Sequence, residues 1–444
     1  MRSSSHSLDR IRVTFDDDHA VANAGLIAPA SLAEHLGLRE LFDELVDLGK
    51  APGHANVGLK AMTLVHSALS GGDCIDDADR MRVAATPAVL GHAVRAPSTL
   101  GTFLRSFTWG HVAQLDEVLD EALRRAWAAG AAPDDGPVTI DVDSTICETY
   151  GQHKQGARFG HTKVRGYHPL LATVAGSDDV LGLRLRGGNA HTGRGAAGFL
   201  AQMFNRVRRA GAAGELVLRA DSGFYNGKVT AACRKADVRY SITVKMWKNL
   251  HQLIEAIPDE GWTPIPYYLD GGADVAEVPY RPFSGRDPEV RLIVRRVKPE
   301  PGSQLALFAT YAYHAFVTDR QGEMLELEAD HRRHAVIEDV IRDLKYGVGL
   351  NHLPSGRFSA NAAWAILNVI AHNLGRWTTR IGLGREATTM TTKTLRTRLL
   401  DLPGRLTSSA RHRTIHLPTA WPWEEQFTTV LAKLRAVKFE PLRT

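Results

Sequence analysis

Asp143, Asp221 and Glu338 lie far apart in the chain, yet each stands where folding could bring it to the others. Asp143 ends the run Val138-Thr139-Ile140-Asp141-Val142-Asp143 and is followed by Ser144 and Thr145. Asp221 ends a second apolar run, Glu215 to Ala220, and is followed by Ser222-Gly223-Phe224. Glu338 lies in a stretch of helical pattern that also carries His331, Arg332, Arg333, His334, Arg342 and Lys345. Carboxylates at two strand ends and on one helix can hold a pair of divalent ions roughly 3.5–4 Å apart. Such a pair clamps the attacking and leaving oxygens of a phosphodiester displacement.

Each residue alone has an ordinary reading. Asp-Ser-Gly is common turn chemistry, and Glu338 could simply pair with Arg342 one helical turn on. What they share is the repeat of an apolar strand ending in Asp-Ser. Alternation along the first strand puts Thr139, Asp141 and Asp143 on one face. Two carboxylates so close repel unless a cation lies beside them. Asp143, nearer the strand end, is assigned to the metal and Asp141 to a supporting position. At ~100° per residue, His331, His334, Glu338 and Lys345 share one helical stripe, beside an apolar stripe of Ile337, Val340, Ile341 and Leu344. A glutamate on this stripe, flanked by Lys345, His331 and His334 and by neighbouring Arg333 and Arg342, suits a site that grips phosphates near a metal, and these five are the candidate phosphate contacts.

The elements around these residues predict a mixed sheet with flanking helices. Residues 1–135 read as a helical region, with a short extended start at Ile11–Phe15, and Gly130–Pro137 reads as a linker. Residues 136–257 give the first part of an α/β core: strands at 138–143, 167–175 and 180–186, a helix over 195–209, the Asp221 strand, a helix over 228–236 and a strand over 239–245. Residues 258–325 carry strand-like pieces and no long helix, a β-rich insertion. Residues 326–380 resume helical patterning, and 381–444 form a basic C-terminal region of short helices and Pro-punctuated loops. A helical N-terminal domain is thus expected to precede a core interrupted by the insertion.

Composition narrows the setting. The 444 residues are 44% apolar and 23% charged, with mean hydropathy −0.19. No apolar run approaches the ~18–20 residues of a membrane span. Three cysteines at wide spacing indicate no disulfide framework. A cytoplasmic protein is expected, associated with the nucleoid when on DNA. The net charge of +5 is unevenly placed: residues 376–444 hold 13 Lys or Arg against 5 Asp or Glu, and residues 1–130 hold 12 against 17. The basic C-terminal region is the better electrostatic match for a polyanion. No Gly-x-x-x-x-Gly-Lys loop is present, so ATP use is not indicated.

Six motifs in order resemble the bacterial insertion-sequence transposases with a DDE catalytic domain, specifically group 1. They are Asp141-Val142-Asp143-Ser144-Thr145; Tyr150-Gly151 with Gln155-Gly156-Ala157; Gly166-Tyr167-His168-Pro169-Leu170; Leu185-Arg186-x-Gly188-Asn189-Ala190-His191; Arg219 to Tyr225; and Glu338-x-x-Ile341-x-x-Leu344-Lys345. The resemblance implies an RNase H-like α/β core whose Asp143, Asp221 and Glu338 bind Mg²⁺, with Mn²⁺ able to substitute. It further implies binding of double-stranded DNA at terminal inverted repeats, cleavage and strand transfer, and a homodimer holding two ends. Related transposases carry Tyr-x-x-Arg-x-x-x-Glu around the glutamate, where this chain has His331 and His334 at the Tyr and Arg positions. The alternatives are a metal-dependent nuclease on the same fold and a catalytically inactive DNA-binding descendant.

Overall fold

The computed structural model describes residues 11–160, 162–268, 272–283, 287–298 and 311–438. Its centre is one nine-stranded mixed sheet. In chain order the strands are β1 Val138–Ser144, β2 Leu170–Val174, β3 Val180–Arg184, β4 Leu216–Ala220, β5 Val238–Thr243, β6 Thr263–Pro264, β7 Ala273–Tyr280, β8 Val290–Val297 and β9 Ala312–Thr318. In space they run β6-β7-β8-β9-β5-β4-β1-β2-β3.

The first three pair antiparallel, and β1, β4 and β5 pair parallel. The order β3-β2-β1-β4-β5 is the RNase H-like mixed sheet that the sequence leads one to expect. Central parallel strands are covered on both faces and therefore read as unbroken apolar runs. All five residues of β4 are buried, Arg219 among them. Helices Ala196–Arg209 and Gly227–Lys235 follow β3 and β4 as crossovers.

The strands of residues 258–325 do not stand off from this sheet. β9 pairs with β5 through Phe316↔Thr243 and Thr318↔Ser241, so β6 to β9 prolong the core sheet by four antiparallel strands. Part of the strand expected near Phe308–Val317 lies outside the described residues. The Gly-rich passage after β1 folds into a small sheet of Cys147–Glu148, Arg158–Phe159 and Arg165–Tyr167. Its pieces lie so close that a Cβ on Gly166 would collide with the Cys147 carbonyl, and one on Gly188 with the carbonyls of Arg158 and Gly166.

The N-terminal helices, among them Val57–Leu69 and Trp109–Ala126, pack on the long helix Phe358–Leu383 in the main core. The join is polar as well as apolar. Buried Asp179, in the β2–β3 turn, accepts the indole N–H of Trp127 at 2.9 Å and of Trp377 at 2.8 Å, and the Ser177 hydroxyl at 3.0 Å.

The C-terminal region departs from the expectation of short helices and loops. It contains a two-stranded ribbon, Gly404–Ser409 and His412–His416, edged by Ala20–Val21, and a 13-residue helix, Glu424–Ala436. The ribbon escaped notice because its residues are nearly all polar. Only Leu406 and Ile415 carry the apolar alternation by which a half-buried strand is recognised. No helix among the described residues is long and apolar enough to cross a membrane.

Candidate active site

Register brings the two aspartates together. Val142 of β1 lies opposite Ala220 of β4 in a parallel pair, so Asp143 and Asp221 leave adjacent strands at the same edge of the sheet. Asp143 accepts the Ser144 N–H at 2.6 Å. Asp221 caps the short turn Ser222–Phe224 by accepting the Gly223 N–H at 2.9 Å, the turn chemistry that Asp-Ser-Gly provides. Ser144 is held in turn by buried His168, whose Nε2 is 2.9 Å from its hydroxyl and whose Nδ1 is 2.8 Å from the Ala190 carbonyl.

Glu338 occupies the first turn of the helix Ile337–Gly347 with its side chain exposed. The apolar stripe beside it, Ile337, Val340, Ile341 and Leu344, is buried in the main core. The stretch before it is not one continuous helix. Met324–Arg332 is α-helical, Arg333–Val336 tightens to a 3₁₀ turn, and the glutamate helix begins at Ile337. That tightening breaks the single stripe expected for His331, His334, Glu338 and Lys345.

The two histidines point into the protein. His334 Nδ1 lies 2.8 Å from Asp141. His331 is held by the Ser241 hydroxyl at 2.7 Å and the Thr243 hydroxyl at 3.0 Å, and stacks on Phe316 at 4.1 Å between ring centroids. Burial, reinforced by the cationic neighbours His334, Arg219, Arg295 and Arg320, pushes its pKa down to about 3, so the ring is neutral. Both nitrogens of His331 are used inside the fold, which leaves it no donor for a DNA phosphate. Here the expectation of a phosphate contact gives way to a docking role.

Asp141 likewise turns away from any ion. It is 2% exposed and takes a two-pronged ion pair from Arg219, Nε at 2.9 Å and Nη2 at 2.7 Å. Arg219 also reaches Asp330, at 2.7 Å to its carbonyl and 3.1 Å to its carboxylate, and Arg320 pairs with the same carboxylate. Asp141, Arg219, Ser241 and Thr318 face one another across β1, β4, β5 and β9. These side chains moor the helix that carries Glu338. Arg219, Ser241, Thr243 and Asp330 were not singled out from sequence. The signal for Arg219 was legible: a lone arginine in an otherwise apolar buried strand needs a carboxylate, and parallel register supplies Asp141.

Of the remaining candidates, Lys345 donates to the Ile146 carbonyl at 2.9 Å, at the mouth of the Asp143 strand. Arg333 is exposed with no partner among the described residues, and exposed Arg342 pairs with Asp339.

The carboxylates themselves form an electrostatically loaded group. Burial pushes Asp143 up to about 6, and the charges of Asp221 and Glu338 add to the rise against the opposing pull of the Ser144 N–H and His334. Hard carboxylate oxygens on neighbouring elements suit a divalent cation such as Mg²⁺ or Mn²⁺. Asp143, Asp221 and Glu338 do not all lie within 4.8 Å of one another. Among the described residues only Asp73, Cys74 and Asp77 gather ligand atoms that tightly.

The structure of piggyBac transposase in a synaptic complex with hairpin DNA aligns with a TM-score of 0.42 and 12% identity, over 92% of this chain and 85% of that one. None of the curated proteins compared with the chain matches it. The family described as transposase DDE domain group 1 matches residues 3–439. Since that match spans nearly the whole length, the chain belongs to the group 1 DDE transposases.

Proposed function

We propose that this chain is the transposase of an insertion sequence, cutting DNA at the terminal inverted repeats and joining the freed ends to target DNA at Asp143, Asp221 and Glu338. DDE transposases generally use divalent metal ions, and Mg²⁺, with Mn²⁺ as a substitute, fits the three carboxylates. The observation that carries the reading is the edge shared by Asp143 and Asp221 on adjacent parallel strands, with the Glu338 helix moored over the same strands. The raised pKa of Asp143 supports it, because a half-buried carboxylate near two others is relieved by a cation. Asp143, Asp221 and Glu338 would hold the divalent ions, which would supply activation of the nucleophile and neutralisation of charge on the phosphate.

The protein's own part is to hold that constellation and the DNA. Asp141, Arg219 and His334 fix the helix that presents Glu338. Ser144 and His168 fix the strand end that presents Asp143. Lys345 keeps donors free beyond its bond to Ile146, and Arg333 and Arg342 lie exposed near the same helix to meet phosphates. In the first phase water displaces the 3′ oxygen at each element end. In the second, the freed 3′-hydroxyl attacks a target phosphodiester and displaces its 3′ oxygen. Two ends held together call for a homodimer. The basic C-terminal region, whose ribbon exposes Arg411 and Arg413, supports further contact with duplex DNA.

The deciding experiment is Mg²⁺- or Mn²⁺-dependent cleavage and joining of DNA that carries the flanking terminal repeats. Wild type is compared with Asp221→Ala, on both intact and pre-cleaved ends. Wild type should cleave and join while the variant does neither. Cleavage without joining of pre-cleaved ends would identify a nuclease, and binding without either reaction an inactive descendant.

A further inference from the structure

The N-terminal arm, residues 11–18, presents apolar side chains to solvent in a pattern that fits a sheet and not a tail. Ile11, Val13 and Phe15 alternate with Arg12 and Thr14, the period-two pattern of a half-buried strand. Yet Ile11 and Val13 are 65% and 76% exposed and Phe15 is fully exposed. Three consecutive same-face apolar residues left in water are a face that lacks its partner. Directly after them come Asp16, Asp17 and Asp18, all exposed. The arm is fixed at its far end, where Ala20–Val21 pairs with the ribbon strand Gly404–Ser409 and the Leu406 N–H donates to the His19 carbonyl at 2.8 Å.

A surface of matching chemistry lies on the other side of that ribbon. Among the described residues the outer strand His412–His416 pairs only with Gly404–Ser409, which leaves its other edge for a further strand. Beside it runs a groove of about 810 Å³ whose apolar wall is made by Leu406, Ile415, Leu417, Trp421, Phe427 and Leu431. Arg413 and Arg435 also line it, with His416 and one carboxylate, Glu424, so its formal charges are two guanidinium groups against one carboxylate. The arm offers an apolar stripe followed by three carboxylates. The groove offers an apolar wall together with cations. Within its own chain the arm is held at its base, where Asp17 pairs with Arg405 at 3.6 Å and accepts the His19 N–H at 2.9 Å, while residues 11–16 and 18 stay exposed.

We propose that the arm of one copy docks in this groove of a second copy, residues 11–15 adding as a strand along His412–His416, with Ile11, Val13 and Phe15 on the apolar wall and Asp16 and Asp18 against Arg413 and Arg435. Exchange of arms about a two-fold axis satisfies both copies by the same contact, as a closed dimer requires. The interface uses neither the carboxylate site nor the residues that moor it. It can therefore succeed or fail independently of the transposase reading.

The test uses the full chain. Two singly substituted proteins, Val13→Cys and Ile415→Cys, whose side chains the proposal puts on the same face, are prepared with Cys74→Ser in both and a mass tag on one, then mixed and oxidised. A disulfide-linked species of mixed mass can form only between copies and is the expected result. Its absence would overturn the proposal. So would a cross-link found only within single chains of the doubly substituted protein, because the arm would then dock in its own groove. Sedimentation gives a second readout. Phe15→Asp alters only an exposed residue, so it should leave the melting curve unchanged and weaken dimerisation by about a hundredfold or more. A dimer constant equal to that of wild type would also overturn the proposal.

Discussion

Arg219 grips Asp141 with two of its nitrogens, at 2.9 and 2.7 Å, in the middle of the sheet where both are buried. The pair is the root of a chain of contacts through Asp330, Arg320 and His334 that ends at the helix of Glu338. Removing one member of a buried pair leaves the other charged and unmatched, which costs about 3–5 kcal/mol. Arg219→Leu is expected to lose that much in urea unfolding. Asp141→Asn combined with Arg219→Leu should recover part of it, since the stranded charge is gone. If the two substitutions merely add, the pair is not what holds this part of the fold.

The contrast between inward histidines and outward arginines on the same segment gives a second expectation. His331 and His334 are engaged with Ser241, Thr243 and Asp141, whereas Arg333 and Arg342 face solvent. Each phosphate contact contributes about 0.9 to the slope of log binding constant against log salt. Arg333→Ala and Arg342→Ala should each lower that slope by roughly one on duplex DNA. His334→Ala should leave the slope unchanged and lower strand-transfer rate instead, because it loosens the mooring of Glu338. A reduced slope for His334→Ala would return this histidine to the DNA interface.

The carboxylate strands were legible because the physics that builds them is local. An apolar run ending in Asp-Ser marks a buried strand and its exposed end, and Leu216–Ala220 and Val138–Ser144 carry that mark. The inward turn of His331 and His334 was not legible. It depends on the 3₁₀ turn at Arg333–Val336 and on hydroxyls from a strand some 90 positions away in sequence, Ser241 and Thr243. Helical periodicity assumes ~100° per residue throughout, and four residues of tighter winding rotate everything before them. The continuation of the sheet by β6 to β9 was hidden for a similar reason. Strand pattern in residues 258–325 gives the existence of strands, while the pairing of Phe316 with Thr243 is a long-range choice that no local pattern records.

Asp179 supplies a third expectation, about how the N-terminal helices are joined to the core. Its two oxygens receive the indole N–H groups of Trp127 and Trp377, one from each side. Asp179→Ala leaves both donors buried without an acceptor, at about 1–3 kcal/mol each. Asp179→Asn keeps one acceptor oxygen and turns an amide N–H toward the other indole, so its cost should fall between wild type and Ala. The melting temperature and near-ultraviolet dichroism of the two tryptophans would register this order. Equal losses in the two variants would mean that packing, and not hydrogen bonding, makes the join.

The carboxylate site should also betray itself through stability before any DNA is added. Asp143 is held at about 6 in the fold against an ordinary value of 3.8, first by burial and then by Asp221 and Glu338. A carboxyl raised on folding binds its proton more tightly in the native state. Its contribution to stability is therefore complete below about 3.8 and is lost as pH rises through about 6. Above that pH the metal-free protein carries a half-buried, repelled carboxylate. Asp143→Asn removes this charge and should stabilise the metal-free fold at pH 7, by up to about 3 kcal/mol at ~1.36 kcal/mol per pH unit. Near pH 4.5 the advantage should shrink, because the wild-type carboxyl is then largely protonated. Added Mg²⁺ or Mn²⁺ should raise the wild-type melting temperature at pH 7 and leave Asp143→Asn nearly unmoved, since a ligand that binds only the native state stabilises it. Thermal unfolding with chelator and with metal, at both pH values, reads all four cases. A stabilisation by Asn that is the same at pH 4.5 and 7 would show that charge at Asp143 is not its source, and a metal response that survives the substitution would place the ions elsewhere.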